Sequence, residues 1–274
     1  MTSTPGPKTR EAALNGAALE RLYRKYNDAC FISSDPLEFV HRYESRDDRE
    51  VVGLIASSLA FGGVRQIRGS VARVLASLGS SPAQYVRDGR PPLIARALRG
   101  FKHRWITGDD VSSMLGGVCA ALREYGSLRE LFYASIDACD RDVAPAAARF
   151  AGYIRARSDG FPLFLLPSAE SGSACKRLNL FLRWMVRSDA IDPGGWNEIS
   201  PAKLIVPLDT HMHRISRRLA LTRRRSADLK TAREITDGFR RISPRDPVKY
   251  DFALTRLGIL RDVSAEVSLA GSHC

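Results

Sequence analysis

The chain has 274 residues, 44% of them hydrophobic, which is enough for one large domain or two modest ones with a real core. Its 42 Lys and Arg against 30 Asp and Glu leave a formal charge of +12, a balance that favours a polyanionic partner through counterion release. The five cysteines are widely spaced with no CxxC, which argues against a disulfide framework, a zinc site or an iron–sulfur cluster.

Residues 1–18 are expected to be disordered, being polar and lacking the apolar run of a signal peptide. Leu19, Leu22, Tyr23 and Tyr26 then fall at helical spacing. A polar stretch at 45–48 leads into a strongly apolar helix over 51–61, which Gly62 and Gly63 break. Ile67, Val71, Val74, Leu75 and Leu78 mark the face of a second helix. Pro82, Pro91 and Pro92 punctuate the next stretch, and further helices are predicted over 112–125, 128–139 and 144–158. No apolar run reaches the roughly 18 residues of a membrane span. Alternating strand patterns are scarce, so the expected fold is all-α, helix packed on helix.

Two later segments carry candidate chemistry. The first runs from Leu165-Leu166-Pro167 through a Ser/Gly turn to Ala174-Cys175-Lys176-Arg177-Leu178-Asn179. Read as a helix, it buries Ala174, Leu178, Phe181, Leu182 and Met185, and sets Lys176, Asn179, Arg183 and Arg187 on a polar face. Lys176 falls in the first turn, where the positive helix end opposes its charge. A nucleophilic amine needs that push. The second segment is Pro207-Leu208-Asp209-Thr210-His211, with Leu208, Met212, Ile215 and Leu219 as its apolar stripe. Asp209 is placed to cap that helix. A fixed, ionised carboxylate there suits the stabilisation of a cationic sugar.

The Leu208-Asp209-Thr210-His211 segment, followed by Arg214-Ile215-Ser216-Arg217-Arg218-Leu219, resembles the Asp-Thr-His segment of the helix-hairpin-helix, endonuclease III-like DNA glycosylases. The pattern from Leu166 to Lys176, with Leu178, Asn179 and Leu182 after it, is similar to that family's hairpin and catalytic-lysine helix. Residues 54–60 with Gln66-Ile67 resemble its early helix pair. Ser173 to Asn179, Pro207 to His211 and Asp246 to Leu254 are similar to motifs of an uncharacterised bacterial branch of the same superfamily. The resemblance implies two helical subdomains flanking a cleft, one from about 45–165, the other from about 19–44 plus 166–274. It implies base-excision repair of damaged duplex DNA by a monomer, with Lys176 as nucleophile, Asp209 as its partner, AP-lyase activity and no cofactor or metal; the widely spaced cysteines read as reduced thiols, so the expected setting is cytoplasmic and nucleoid-associated. The turn at 168–173 lacks the family's compact Gly-x-Gly, and an extra segment over 188–204 separates lysine from aspartate. That longer separation resembles the archaeal 8-oxoguanine branch and makes 8-oxoguanine the expected base. A non-catalytic nucleic-acid-binding relative and a metal-dependent phosphohydrolase remain as rival readings.

Other residues are assigned around this pair. Arg65 and Gln66 stand where family members present a loop to the minor groove. Ser173, Arg183, Arg187, His211 and Arg214 are expected to meet DNA, with Arg217, Arg218 and residues 223–225 as further phosphate contacts. Trp184 and Asp251 are the expected base pocket, and Trp196 is a second candidate for stacking. His211 and His213, two apart on a helix, point to different sides and cannot easily share a metal.

Overall fold

In the computed structural model, which describes residues 16–89, 91–168 and 172–260, the chain is mostly helical. α1 (Gly16–Tyr26) already includes residues 16–18, so the expected disorder ends earlier, and its remaining residues lie outside those described. Two 3-10 helices, Ala29–Ser34 and Pro36–Arg42, follow. α2 (Arg46–Ser58) starts where Ser45 accepts the Asp48 N–H, and Asp47 and Asp48 complement its positive end. α3 (Val64–Leu78) begins after the break at Gly62, whose φ of 96° suits glycine. α4 (Pro82–Asp88) and α5 (Pro91–Ala97) each start on proline, which is pre-set for a first helical turn.

A short hairpin comes next, β1 (Lys102–His103) against β2 (Ile106–Thr107), with Arg104 left-handed at φ 56° in its turn. α6 (Gly108–Tyr125) opens earlier than its apolar pattern suggests, because Thr107 and Asp110 form a reciprocal capping box. α7 (Leu128–Ala134) closes well short of the expected residue 139. There the Asp137 carboxylate accepts the Cys139 N–H at 3.0 Å and Asp140 accepts that of Asp137 at 2.9 Å, turns that compete with helix. α8 (Ala144–Ala156), α9 (Lys176–Val186), α10 (Thr210–Arg218), α11 (Leu229–Arg240) and α12 (Asp251–Leu260) complete the set. None of the described helices is long and apolar enough to cross a membrane.

α2 is wrapped on several sides, by residues 36–42, α4 and α9. It packs tightly on α9 at Gly53, where a Cβ would come within 3.0 Å of Met185 and 3.4 Å of Phe181. Buried apolar side chains from α1 through α12 form one continuous core. Segment 188–204 belongs to that core. Trp196 is buried between Phe132 and Phe181, and its backbone N–H donates to the Met185 carbonyl at 2.9 Å.

Glu50 ties this region together. Its carboxyl accepts the Leu128 and Arg129 N–H groups at the start of α7, at 2.8 and 3.1 Å, and the Trp196 indole N–H at 2.9 Å. Burial pushes the group up to about 7, against the pull of those three donors. A carboxyl raised above its unfolded value stabilises the fold most below about pH 4 and loses that contribution as pH climbs to about 7. Glu50→Gln has no such titration. Relative to the variant, the wild type should lose on the order of 3 kcal/mol of unfolding free energy between pH 4.5 and pH 7.5. Urea denaturation of both proteins across that range checks this, and parallel curves would refute it.

Candidate active site

The turn before α9 is unusual. Cys175, the residue preceding the helix, is left-handed at φ 48°, a conformation that costs a non-glycine residue on the order of 1–3 kcal/mol. It is held there by its N–H to Ser173 Oγ at 3.1 Å and by its buried thiol, which lies 3.5 Å from the Pro167 carbonyl. Asn179 secures the other side, donating to the Ala174 carbonyl at 3.0 Å. The kink delivers Lys176 as the first residue of α9, half-buried at 33% side-chain exposure.

α10 supplies its partner. Asp209 is the cap of that helix, and its Oδ1 accepts the Met212 N–H at 2.8 Å. Its other oxygen, Oδ2, lies 3.3 Å from Lys176 Nζ. Two groups far apart in the chain are thus paired at adjoining helix starts. Both line a cleft of about 570 Å³, which also touches Phe61, Leu180, Asp251 and Phe252. An amine and a carboxylate at this separation can exchange a proton, attack an electrophilic carbon and balance a positive charge that develops between them.

Asp251, the first residue of α12, sits at the cleft with 4% exposure. Burial raises its carboxyl to about 6, the Arg183 guanidinium opposes that rise, and the Asp209 charge adds to it. Its partner is Arg183, so Asp251 is committed to holding the cleft wall.

The expected contacts of Arg183 and Arg187 with DNA are corrected by burial. Each is only 3% exposed. Arg183 binds Asp192 and Asp251, and Arg187 binds Asp192, Asp189 and Asp246. Exposing either to a phosphate would strand buried carboxylates, which is costly. Trp184 and Trp196 are likewise corrected as stacking platforms. Both are fully buried, and neither lines the cleft. Ser173 lines the cleft and holds Cys175. Arg65 and Gln66 are exposed on the first turn of α3, directly after the cleft residue Val64. His211 is exposed at the cleft mouth, 3.3 Å from an Arg214 nitrogen, whereas His213 meets the Arg224 carbonyl at 3.0 Å.

Two further features flank the cleft, the first of them built from arginines already expected along the chain to meet phosphate. Arg214, Arg217, Arg218 and Arg223 surround a concavity of about 520 Å³ beside Thr210, which also lines the cleft. Among the described residues no carboxylate lines this concavity, so its field suits phosphate. Arg224 does not join it, being paired with Asp228 at 2.6 Å. The second feature is an aromatic cluster at the cleft edge, assembled from Phe61, Trp105 and Phe164, with ring centroids 4.7 to 5.2 Å apart. Trp105 is 52% exposed. The Arg177 guanidinium lies 3.6 Å from the Phe164 ring centroid. These residues come from four separate segments, so no sequence window contains the signal.

Comparison with known proteins identifies one family. The family described as a protein of unknown function (DUF2400) matches residues 35–260. No curated protein and no solved structure matches the chain.

Proposed function

The chain belongs to the DUF2400 family, and from that premise we propose that it is a DNA glycosylase with AP-lyase activity. The carrying observation is the Lys176 Nζ to Asp209 Oδ2 approach of 3.3 Å inside a cleft large enough for an extruded nucleoside. The helix-hairpin-helix resemblance of the same two segments supports it. In the proposed fold the segment before α9 is the hairpin, and the helices on either side of the cleft are the two subdomains.

In the proposed reaction the damaged nucleotide leaves the duplex and its sugar enters between the two groups. Asp209 offsets the positive charge that grows on the sugar as the glycosidic bond lengthens. The neutral Lys176 amine bonds to C1′, and the base departs with the electrons of the broken bond and takes up a proton. Opening of the sugar ring gives an iminium at C1′, from which loss of a C2′ proton expels the 3′ phosphate. The chemistry proceeds on a monomer with duplex DNA and draws on no metal or organic cofactor. 8-Oxoguanine is the base that the long 188–204 segment brings forward by resemblance.

Borohydride is the direct test, because it reduces the iminium and fixes the protein to the DNA. A duplex with one abasic site should yield an adduct of the summed mass of protein and strand. Absence of the adduct at saturating protein would reject the lysine mechanism. The arginine-rich concavity beside the cleft adds an expectation about grip. DNA affinity should fall steeply with salt, by roughly tenfold or more between 50 and 200 mM for a few phosphate contacts. Arg217→Ala should flatten the slope by about one unit. Fluorescence anisotropy across a salt series measures both, and an unchanged slope would remove Arg217 from the interface.

A further inference from the structure

Arg177 is 8% exposed, yet among the described residues no carboxylate pairs with it and its Nε has no hydrogen-bond partner. The other buried arginines in this part of the fold each have an acid: Arg183 and Arg187 share four aspartates, and Arg256, whose Nε is also unpartnered, pairs with Asp35. Burial pushes Arg177 down to about 10, against a smaller opposing pull from Cys175. Its contacts are rings, Phe164 at 3.6 Å and Phe61 at 5.4 Å from the guanidinium carbon. It also lines the cleft that holds Lys176 and Asp209. A buried Nε with no acceptor is costly, and a guanidinium left without an acid at a cleft is available to a ligand that brings an acceptor.

The surroundings define that acceptor. Flat rings flank the guanidinium, and apolar Ile67 and Leu180 line the same cleft. A flat heterocycle fits between such surfaces better than a strongly hydrated tetrahedral phosphate. Guanidinium groups read a base through two adjacent acceptors, O6 and N7 of a 6-oxopurine. Adenine presents an amino donor at position 6, which a donor-only side chain rejects. Deamination of adenine to hypoxanthine turns that donor into an oxygen acceptor and leaves N7 bare. 8-Oxoguanine carries a hydrogen on N7, so there a donor would meet a donor. Guanine shares the O6 and N7 edge but is held in its pair, whereas hypoxanthine opposite thymine is a mismatch and leaves the stack at lower cost.

We propose that Arg177, stacked on Phe164 beside Lys176, is the base-reading residue of the cleft and selects a deaminated purine, hypoxanthine, through O6 and N7. This rests on the glycosylase reading for the presence of a base in the cleft and replaces 8-oxoguanine as the expected lesion.

The test uses the full chain and duplexes with one modified nucleotide opposite thymine, each built on a 2′-fluoro sugar that resists loss of the base. Hypoxanthine should bind roughly tenfold or more tighter than 7-deazahypoxanthine, which pairs identically but lacks N7. Adenine and 8-oxoguanine should bind no better than the 7-deaza analogue. Arg177→Met should erase the hypoxanthine preference, and Arg177→Lys should restore part of it. Equal affinity of the wild type for hypoxanthine and its 7-deaza analogue overturns the proposal, and that comparison stands even if the variants do not fold. A preference that survives in Arg177→Met also overturns it. Borohydride trapping on an abasic duplex separates the two readings. Trapping without a base preference leaves the lyase and removes the reader, whereas a preference without trapping does the reverse.

Discussion

Lys176→Gln is expected to abolish borohydride trapping on an abasic duplex, a fall of at least about a thousandfold in adduct yield. The size follows from the chemistry, since an amide nitrogen cannot form the iminium that the reductant fixes. The fold has little reason to respond. Lys176 is a third exposed and its ion pair with Asp209 is partly solvated, so losing the pair should cost about 1 kcal/mol or less. The glutamine side-chain amide can still donate towards Asp209 Oδ2, and the strained turn at Cys175 relies on Ser173 and Pro167. Thermal melts within a few degrees of the wild type, measured beside the trapping assay, separate loss of chemistry from loss of structure. Trapping that persists in the variant would transfer the nucleophile to another amine, and peptide mapping of the adduct would locate it.

How much of this was legible along the chain differs residue by residue. Asp209 was readable as a cap, because an aspartate ahead of an apolar stripe has a local reason to be there, and its bond to Met212 is local too. Lys176 was readable as a helix start, although the left-handed Cys175 that aims it leaves no trace in composition. Arg183 and Arg187 were misread because one polar stripe of arginines, four residues apart, looks the same whether it faces water or acids. Their partners Asp192, Asp246 and Asp251 are supplied by a loop, by the approach to α12 and by its first residue, and only tertiary packing brings them together. Trp184 and Trp196 were readable only as candidates for stacking, as aromatic side chains near a site pack inward as readily as they face a ligand, and both pack inward. Arg177 sat in plain view within a basic run, and nothing local distinguished it from a solvated charge. Its distinction is Phe164 beneath it and, among the described residues, the lack of an acid paired with it.

Asp209→Asn should slow base excision roughly 100- to 1000-fold while leaving DNA affinity equal to or slightly above that of the wild type. Asparagine caps a helix nearly as well as aspartate and keeps an oxygen for the Met212 N–H, so α10 and the cleft should hold their shape. What disappears is the negative charge facing Lys176, which is needed only as the sugar becomes cationic. The loss therefore belongs in the chemical step, and single-turnover rates should carry it while anisotropy does not. Removing one carboxylate from a site that binds a polyanion favours binding if it does anything. Asp251 supplies an internal check on whether the charge is really gone. Part of what holds its carboxyl near 6 is the Asp209 charge, so in the variant it should ionise at lower pH, and its NMR titration should shift in that direction. An unchanged excision rate together with a shifted Asp251 would show the charge to be removed and catalytically idle, leaving Asp209 a helix cap alone.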